Sequence, residues 1–500
     1  MTHHFTRRAL LTSALSSVAT VAFAEAPLTS LRPTARPDLD PKTSPLAQVT
    51  TAEIIADADL NGVVGFMVAD AKTGQLLEAT DADIGLPPAS VTKAMTALFA
   101  IKTLGPDYTF RTRLLATGPV VDGVLQGDLI LAGGGNPNFV TDELSALVKQ
   151  FVDLGITKIT GAFQVWGDAL PYREEIDPPQ LDHLGYNPSV SGLNLNFNRV
   201  HFEWRRANGR YTIAMDARSE TQRPLVYTSR MRIVDRAVPI YTYARAGKID
   251  EWTVARGALG DSGSRWLPVR NPALYAGDVF QTMARALGVP LPNPEKIAEL
   301  PDADEIAAHE SEDLTKMMRS MLRFSTNLTA EGAGLTATKK IVGKPFELPE
   351  SAACMTRWAE QRSNVRANFA DHSGLSDVSR VSAQDMVAIL RDPDAIGTLR
   401  PILKDIPMTD EDRDVIVDFP ARVVAKTGTL NFVSTLAGYV RTEAGDDLVF
   451  TIFAADLEAR ARGKAAGDEQ PAGSIGWNRR AKRLQQRLLQ RWSLVFQSEA

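Results

Sequence analysis

The sequence predicts a mixed α/β chain of the α+β kind: an antiparallel sheet with helices, interrupted by inserted small domains rich in β-structure. Three observations lead there. Near the front, Gly62 to Ala69 reads as a strand that turns at Asp70-Ala71-Lys72-Thr73-Gly74 and returns through Gln75 to Ala79, a hairpin running straight into a helix. Near the end, Arg422 to Leu430, Ser434 to Val440 and Asp447 to Ala455 read as three strands followed by an amphipathic helix. Between them lies a long interval with strands and helices of its own. The expected division is therefore 1–24 as an export signal, 25–112 and 301–500 as two parts of one main body, and 113–300 as the insertion, nested as two small domains.

Composition narrows the function classes. The chain has 44% hydrophobic and 23% charged residues, which suits a globular protein with ample core. A net charge of −5 and the lack of any Lys/Arg block give no footprint for nucleic acid. Cys354 is the sole cysteine, so no internal disulfide is possible, and it reads as a small core residue. The six histidines show no HExxH spacing, so neither metal nor other cofactor is expected. Met1 to Ala24 combines Arg7-Arg8, an apolar and small-residue stretch from Ala9 to Val21, and Ala22-Phe23-Ala24 before Glu25. That is the pattern of an export signal, which places the mature protein in the bacterial periplasm or outside the cell. Thr6 to Leu11 also resembles a twin-arginine signal, so both export routes stay open. No other segment is apolar for long enough to span a membrane.

The elements follow in order. Glu25 to Ser44, rich in Pro, Thr and Arg, is an irregular arm, and Thr51 to Ala58 a short helix. After the hairpin, Pro87-Pro88 stops the strand pattern and sets up a helix whose first turn holds Ser90 and whose apolar side carries Met95, Leu98 and Phe99. Arg111 to Leu115 and Val121 to Leu131 are strands, and Gly133-Gly134-Gly135 is a tight corner, since it lacks both GxGxxG spacing and a Walker lysine. Asp142 to Leu154 is an amphipathic helix, and Ile156 to Gly167 returns to strand. Short β-like runs then dominate: Gly192 to Phe197, His201 to Trp204, Tyr211 to Met215, Arg230 to Val234 and Glu251 to Arg256. Asn271 to Leu287 is helical, and Pro290 to Pro301 is the return linker. Leu314 to Thr329 and Ala330 to Lys340 are helical, Asp371 to Ser376 is a turn centred on Gly374, and Ser382 caps a helix to Leu390. The last helix, Asn478 to Phe496, puts Ala481, Leu484, Leu488, Trp492 and Val495 on one side to pack across the sheet.

Three short motifs carry chemistry. Ser90-Val91-Thr92-Lys93 places a serine and a lysine on one helix face; a lysine kept neutral by burial makes the serine a nucleophile with its own base. Ser325-Thr326-Asn327 sets two polar side chains at a spacing that converges if the backbone is a loop between helices. Lys426-Thr427-Gly428-Thr429 lies on a predicted strand, with glycine where a ligand backbone needs close approach. Lys72-Thr73-Gly74 is a second KTG, but it sits in a hairpin turn and precedes the nucleophile.

The order SxxK, SxN, KTG is that of the penicillin-recognising serine acyl-transferases. With the long interval from Ser90 to Ser325, the chain resembles the D-alanyl-D-alanine carboxypeptidase/endopeptidase family of class C low-molecular-mass penicillin-binding proteins, peptidase S13. Gly127 to Pro137, Ser191 to Asn198, Asn271 to Tyr275 and Asp371 to Ser376 with Arg380-Val381-Ser382 share the likeness. Thr326, Asn136 and His372 depart from the family pattern, and His372 puts local substrate contacts in question.

The resemblance implies a serine β-lactamase/DD-peptidase-like catalytic fold and a peptidoglycan stem peptide as substrate, with β-lactams as acylating inhibitors. Ser90 would be the nucleophile, Lys93 its base with a pKa lowered by burial and by Lys426, and Ser325 the relay to the leaving amine. Asn327 would bond Lys93 and the substrate amide, and Lys426, Thr427, Gly428 and Thr429 would receive the substrate carboxylate and backbone. The N–H groups of Ser90 and Thr429 would form the oxyanion hole. Cleavage of the terminal D-Ala-D-Ala bond or also of the D-Ala–meso-diaminopimelate cross-link is left open, as is oligomeric state. The alternatives are a β-lactamase, for which Glu331 to Asp371 offers no ExxLN-like segment, and a non-catalytic wall-binding scaffold, which would not need the five polar groups.

Overall fold

The computed structural model describes residues 43–498, so the export signal and most of the Pro-rich arm lie outside the described residues. The main sheet has six strands, in the order Lys404–Asp405, Ala421–Leu430, Val433–Thr442, Asp447–Ala455, Val63–Asp70 and Leu76–Thr80, all antiparallel. The two ends of the chain meet here, with Phe66 opposite Ile452. Both faces of its central strands are buried. Val64, Phe66 and Val68 face the terminal Ser474–Val495 helix, and Val63, Met67 and Ala69 face a cluster of helices on the other side. Such strands read as continuous apolar runs. On the terminal-helix side Trp492 is fully buried at 5.5 Å from the Phe66 ring, and its indole N–H donates to Glu78.

The other face carries the Thr92–Leu104 helix, which is buried all round from Thr92 to Ile101 rather than on the one side that its Met95, Leu98 and Phe99 spacing suggests. Helices Leu314–Phe324, Asn327–Val342, Leu348–Ser363 and Pro393–Leu399 pack against it. Small residues Ala94, Ala97 and Ala100 permit this enclosure.

A five-stranded sheet stands apart, ordered Glu295–Ile297, Phe163–Trp166, Leu129–Ala132, Arg111–Ala116 and Asp304–Glu310. Its last two strands pair antiparallel, so it begins at Arg111 and closes at Glu310, beyond the expected return at 300. The linker also contributes the Glu295–Ile297 strand. Two three-stranded sheets follow, Arg210–Asp216/Arg199–Ala207/Ser262–Pro268 and Ser229–Val234/Ile249–Ala255/Tyr241–Ala246, and the helices Thr141–Asp153 and Pro272–Ala286 share their core. Gly192 to Phe197, expected as a strand, is an irregular turn with positive φ at Asn196 and Phe197. Buried Asn side chains hold it: Asn194 donates to the carbonyls of Ser191 and Asn136, and Asn198 to Asn194. Gly134 makes the expected tight corner, since a Cβ there would lie 2.1 Å from the Arg111 carbonyl.

No described helix is long and apolar enough to cross a membrane.

Candidate active site

The turn carrying Ser90 is fixed from three sides. Ala89, at φ 46°, sits in the left-handed region and starts a short 3-10 turn, Ala89–Val91, that feeds the Thr92–Leu104 helix. Thr435 donates its hydroxyl to the Pro88 carbonyl at 2.8 Å. Gly374, at φ +72°, lets the Asp371–Ser376 turn close on Ala89, where any Cβ would come within 1.8 Å of the Ala89 carbonyl. Gly428 of the Ala421–Leu430 strand does the same from below, since a Cβ there would meet the Ser90 N–H at 2.9 Å. The glycine of the strand motif, expected where a ligand backbone needs close approach, lies instead against the backbone of Ser90.

Lys93 is fully buried one turn after Ser90 and donates to three acceptors: Ser90 Oγ at 2.9 Å, Asn327 Oδ1 at 2.7 Å and the Ser373 carbonyl at 2.6 Å. Burial lowers its pKa to about 8, against the opposing pull of Asp371 and Glu331. Burial chiefly, and then the charge of Lys93, hold Lys426 well below the ordinary lysine range. The lowering of Lys93 thus rests on burial, and the repulsion between the two lysines shows on Lys426.

Ser325 is the hinge between helices Leu314–Phe324 and Asn327–Val342, with left-handed backbone at φ 60°. Its hydroxyl accepts from Lys426 Nζ at 3.0 Å, and Lys426 also donates to the Thr427 carbonyl at 2.7 Å. Two serine–lysine pairs, Ser90 with Lys93 and Ser325 with Lys426, therefore meet at one hinge, where Ser325 accepts from Lys426 and Asn327, two residues on, accepts from Lys93. Lys426 and Gly428 are buried toward it, while Thr427 and Thr429 are exposed on the alternating positions. The neighbouring Lys404–Asp405 strand pairs only with Ala425 and Val424, so the edge of the strand beyond them is not covered by it. Lys72, in the other KTG, lies in a turn closed by Asp70, which accepts from the N–H groups of Lys72 and Thr73.

Three groups near the site were not assigned from sequence. Glu331 follows Asn327 by one helical turn, is fully buried, and accepts from the His372 N–H at 3.0 Å. Burial and nearby Asp371 push its carboxyl pKa up. Asp371 itself, raised by burial, accepts from the N–H groups of Gly374 and Ser376. The i, i+4 spacing from Asn327 was the one available signal for Glu331. Tyr186, from the Arg111–Glu310 interval, supplies a carbonyl to the Asn327 side-chain nitrogen at 2.7 Å. The Glu174–Asn187 segment bearing it is clamped by buried Arg270, whose guanidinium donates to the carbonyls of Glu174, Asn187 and Asp182 and to the Glu175 carboxylate at 2.6–2.9 Å. His183 reaches Glu469 at 3.0 Å on the far side.

His372 makes no substrate-facing contact. Its ring is fully buried, stacks on Phe99 with centroids 6.4 Å apart, and meets Ser351 Oγ at 2.8 Å. Burial drops its pKa to about 3, so it stays neutral. Thr326 bonds Thr329, and Asn136 accepts from the Asn138 N–H. The one grouping of potential metal ligands among the described residues is His201, Glu203 and Asp216, and Arg218 already binds both of its carboxylates.

A helix-borne serine and lysine under an antiparallel sheet, faced by a second serine–lysine pair, define a serine peptidase of the penicillin-binding class. The chain belongs to the D-Ala-D-Ala carboxypeptidase 3 (S13) family, whose model matches residues 47–472. It is 26% identical to the D-alanyl-D-alanine carboxypeptidase of Actinomadura sp. (strain R39), over 80% of this chain and 79% of that one. In fold it is similar to the crystal structure of penicillin-binding protein 4 (DacB) from Haemophilus influenzae, with a TM-score of 0.69 at 19% identity over 88% of this chain and 99% of that one. The same Haemophilus protein complexed with a β-lactam matches with a TM-score of 0.67 at 19% identity, over 87% of this chain and 99% of that one.

Proposed function

We propose that this protein removes the terminal D-Ala from peptidoglycan stem peptides through an acyl-enzyme on Ser90, and that β-lactams acylate the same oxygen. The observation that carries the reading is the 2.9 Å contact between Ser90 Oγ and a fully buried Lys93 whose remaining hydrogen bonds go to Asn327 and Ser373. In its neutral form Lys93 takes the hydroxyl proton as Ser90 Oγ bonds to the carbonyl carbon of the penultimate D-Ala. The tetrahedral oxygen faces the N–H groups of Ser90 and Thr429, each worth roughly 3 kcal/mol in such a role. The C–N bond then breaks, and the leaving amine receives a proton through Ser325, which Lys426 holds at 3.0 Å. Lys93, neutral again once its proton has passed to the amine, then takes a proton from the water that attacks the ester and hands it to the departing Ser90 Oγ.

Lys426 and the exposed hydroxyls of Thr427 and Thr429 suit the substrate's carboxylate. The export-signal pattern at Met1 to Ala24 supports a periplasmic place of work, where this substrate is found. Cleavage of cross-links belongs to the same chemistry with a longer leaving group.

Labelling with a fluorescent penicillin tests the assignment. The wild type should form a stable adduct and Ser90→Ala none. An unlabelled wild type, or equal labelling of the mutant, refutes it, and rapid turnover of a chromogenic β-lactam would make the protein a β-lactamase instead.

A further inference from the structure

The Tyr186 carbonyl that meets Asn327 belongs to a segment without helix or strand, residues 174–187. One antiparallel bridge, Arg173 with Val190, closes its base, and its own backbone bonds are short turns, in which Asp177 accepts from Gln180, Leu181 from Leu184 and Leu184 from Asn187. A single side chain joins its beginning, middle and end. Fully buried Arg270 donates to the carbonyls of Glu174 at 2.7 Å, Asp182 at 2.9 Å and Asn187 at 2.9 Å, and to the Glu175 carboxylate at 2.6 Å. Taking a cation out of water is costly, and an apolar side chain of the same volume fills such a space without that cost. What the apolar chain lacks is a rigid fork of donors aimed at several acceptors at once.

From Arg270 to Ser90 every link is a hydrogen bond or a peptide plane. Asn187, whose carbonyl Arg270 holds, shares a peptide plane with the Tyr186 carbonyl, and in a trans peptide the N–H and C=O point opposite ways. The Asn187 N–H donates to the Leu184 carbonyl at 2.9 Å, and its side chain both donates to the Asp177 carbonyl at 3.0 Å and accepts from the Asp177 N–H at 2.9 Å. The Tyr186 carbonyl is thereby aimed at Asn327 Nδ2, 2.7 Å away, which leaves Asn327 Oδ1 to accept from Lys93 at 2.7 Å, beside Ser90 Oγ. Arg270 is itself seated by the small sheets. Its N–H donates at 2.8 Å to Asp250, a fully buried carboxylate on the Ile249–Ala255 strand that also accepts from the Tyr243 hydroxyl and the Asn271 amide.

We propose that Arg270 is a positioning residue for acyl transfer at Ser90: it touches no reacting atom, and acts by fixing the Tyr186 carbonyl and, through it, the side of the Asn327 amide offered to Lys93. The inference rests on the acyl-enzyme reading above. Without the guanidinium, the 174–187 segment loses the tie between its start and its end, the Tyr186 carbonyl leaves its place, and Asn327 is free to turn its nitrogen toward Lys93. An acceptor on Lys93 favours the ammonium form and holds the amine against Ser90 Oγ. Losing it should slow acylation and move its onset to lower pH.

Arg270→Met fills the space and removes the donors, and Arg270→Lys keeps a charge for Glu175 without the fork. Each is made in the wild type and in Asn327→Ala, and penicillin acylation is followed by stopped flow across the pH limb set by Lys93. In the wild-type background Arg270→Met should lower the plateau rate about tenfold or more and shift the limb to lower pH, with Arg270→Lys between. In Asn327→Ala the same substitutions should change the rate less than about twofold, because the path runs through the missing amide. Asp278→Asn, which loosens Tyr227 and Thr228 in the same core, is the comparison and should lower the thermal midpoint without slowing acylation. Equal losses in both backgrounds, wild-type rates for Arg270→Met, a slowed rate with an unmoved limb, or a parallel loss in Asp278→Asn would each overturn the proposal. Failure of both Arg270 variants to fold would make Arg270 a folding residue and overturn it too. A wild type that takes no penicillin label refutes the Ser90 reading itself.

Discussion

The Asn327 side-chain nitrogen donates to the Tyr186 carbonyl at 2.7 Å, and this bond decides which way the amide faces. With its nitrogen engaged there, Asn327 must offer its oxygen to Lys93. A backbone carbonyl from the Arg111–Glu310 interval thereby helps to fix the acceptor offered to Lys93, in a site whose other parts lie in the main body.

Asn327→Asp should expose that dependence. The substitution keeps an acceptor for Lys93 but sets a second acceptor against the Tyr186 carbonyl, and its charge favours the ammonium form of Lys93. Penicillin acylation near neutral pH should fall by about a hundredfold, the scale of a lost general base. Tyr186→Phe, which keeps the carbonyl, should acylate like wild type. Wild-type rates for Asn327→Asp would show that the amide orientation is immaterial.

Acylation should depend on pH through Lys93. With a pKa near 8, Lys93 is mostly charged at neutral pH, so the rate should climb as pH rises through about 8 and level off above it. Glu331 raises the Lys93 pKa, so Glu331→Gln should move this limb to lower pH. Because the buried groups titrate together, the limb belongs to the cluster. A limb that stays put or moves upward in stopped-flow acylation would disconnect Glu331 from Lys93.

Gly374→Ala should be far more damaging than Gly155→Ala. Both glycines have φ above +70°, yet Gly155 has nothing within 4 Å of an added Cβ, whereas Gly374 abuts the Ala89 carbonyl. The Gly155 variant should cost about 1 kcal/mol of left-handed strain. The Gly374 variant should lose that and more, together with penicillin labelling, because the turn carrying Ser90 must shift. Similar thermal midpoints and labelling for the two variants would contradict this.

His372 should contribute to acid sensitivity. It is neutral in the fold until about pH 3, while the unfolded chain binds its proton near pH 6.5. The unfolded state therefore holds more protons across that window, and stability should fall as pH drops through it, by up to about 4 kcal/mol. His372→Gln should remove this component. Urea titrations from pH 7 to about 3 with equal slopes for both proteins would exclude it.

The candidate site was legible where its pairs are written in neighbouring residues. Ser90 with Lys93, Ser325 with Asn327, and Lys426 with Gly428 each come from one turn or one strand, and their order separates Lys426 from the solvated Lys72. What escaped was set by tertiary burial. Nothing in the sequence around Glu331 signals that the fold buries it fully, and the substrate contacts that His372 put in question give way to a ring covered by Phe99 and Ser351. Asp304–Glu310 is too polar for a strand by pattern, and only its place on a sheet edge makes one. Gly192 to Phe197 has strand-like alternation in sequence, yet Gly192 to Asn196 are all buried, because hydrogen bonds within the turn satisfy the Asn side chains that a strand would turn to solvent.

The antiparallel pairing of Arg111–Ala116 with Asp304–Glu310 brings the two ends of that long interval side by side. To the rest of the chain, everything between is topologically one hairpin loop. Such a loop can be cut out and its stem rejoined by a short turn without stretching the main sheet, and the trimmed chain would keep both serine–lysine pairs. It would lose the Tyr186 carbonyl. The excursion is thus removable as architecture but not as part of the catalyst, and a trimmed chain that folds yet acylates slowly would be its signature.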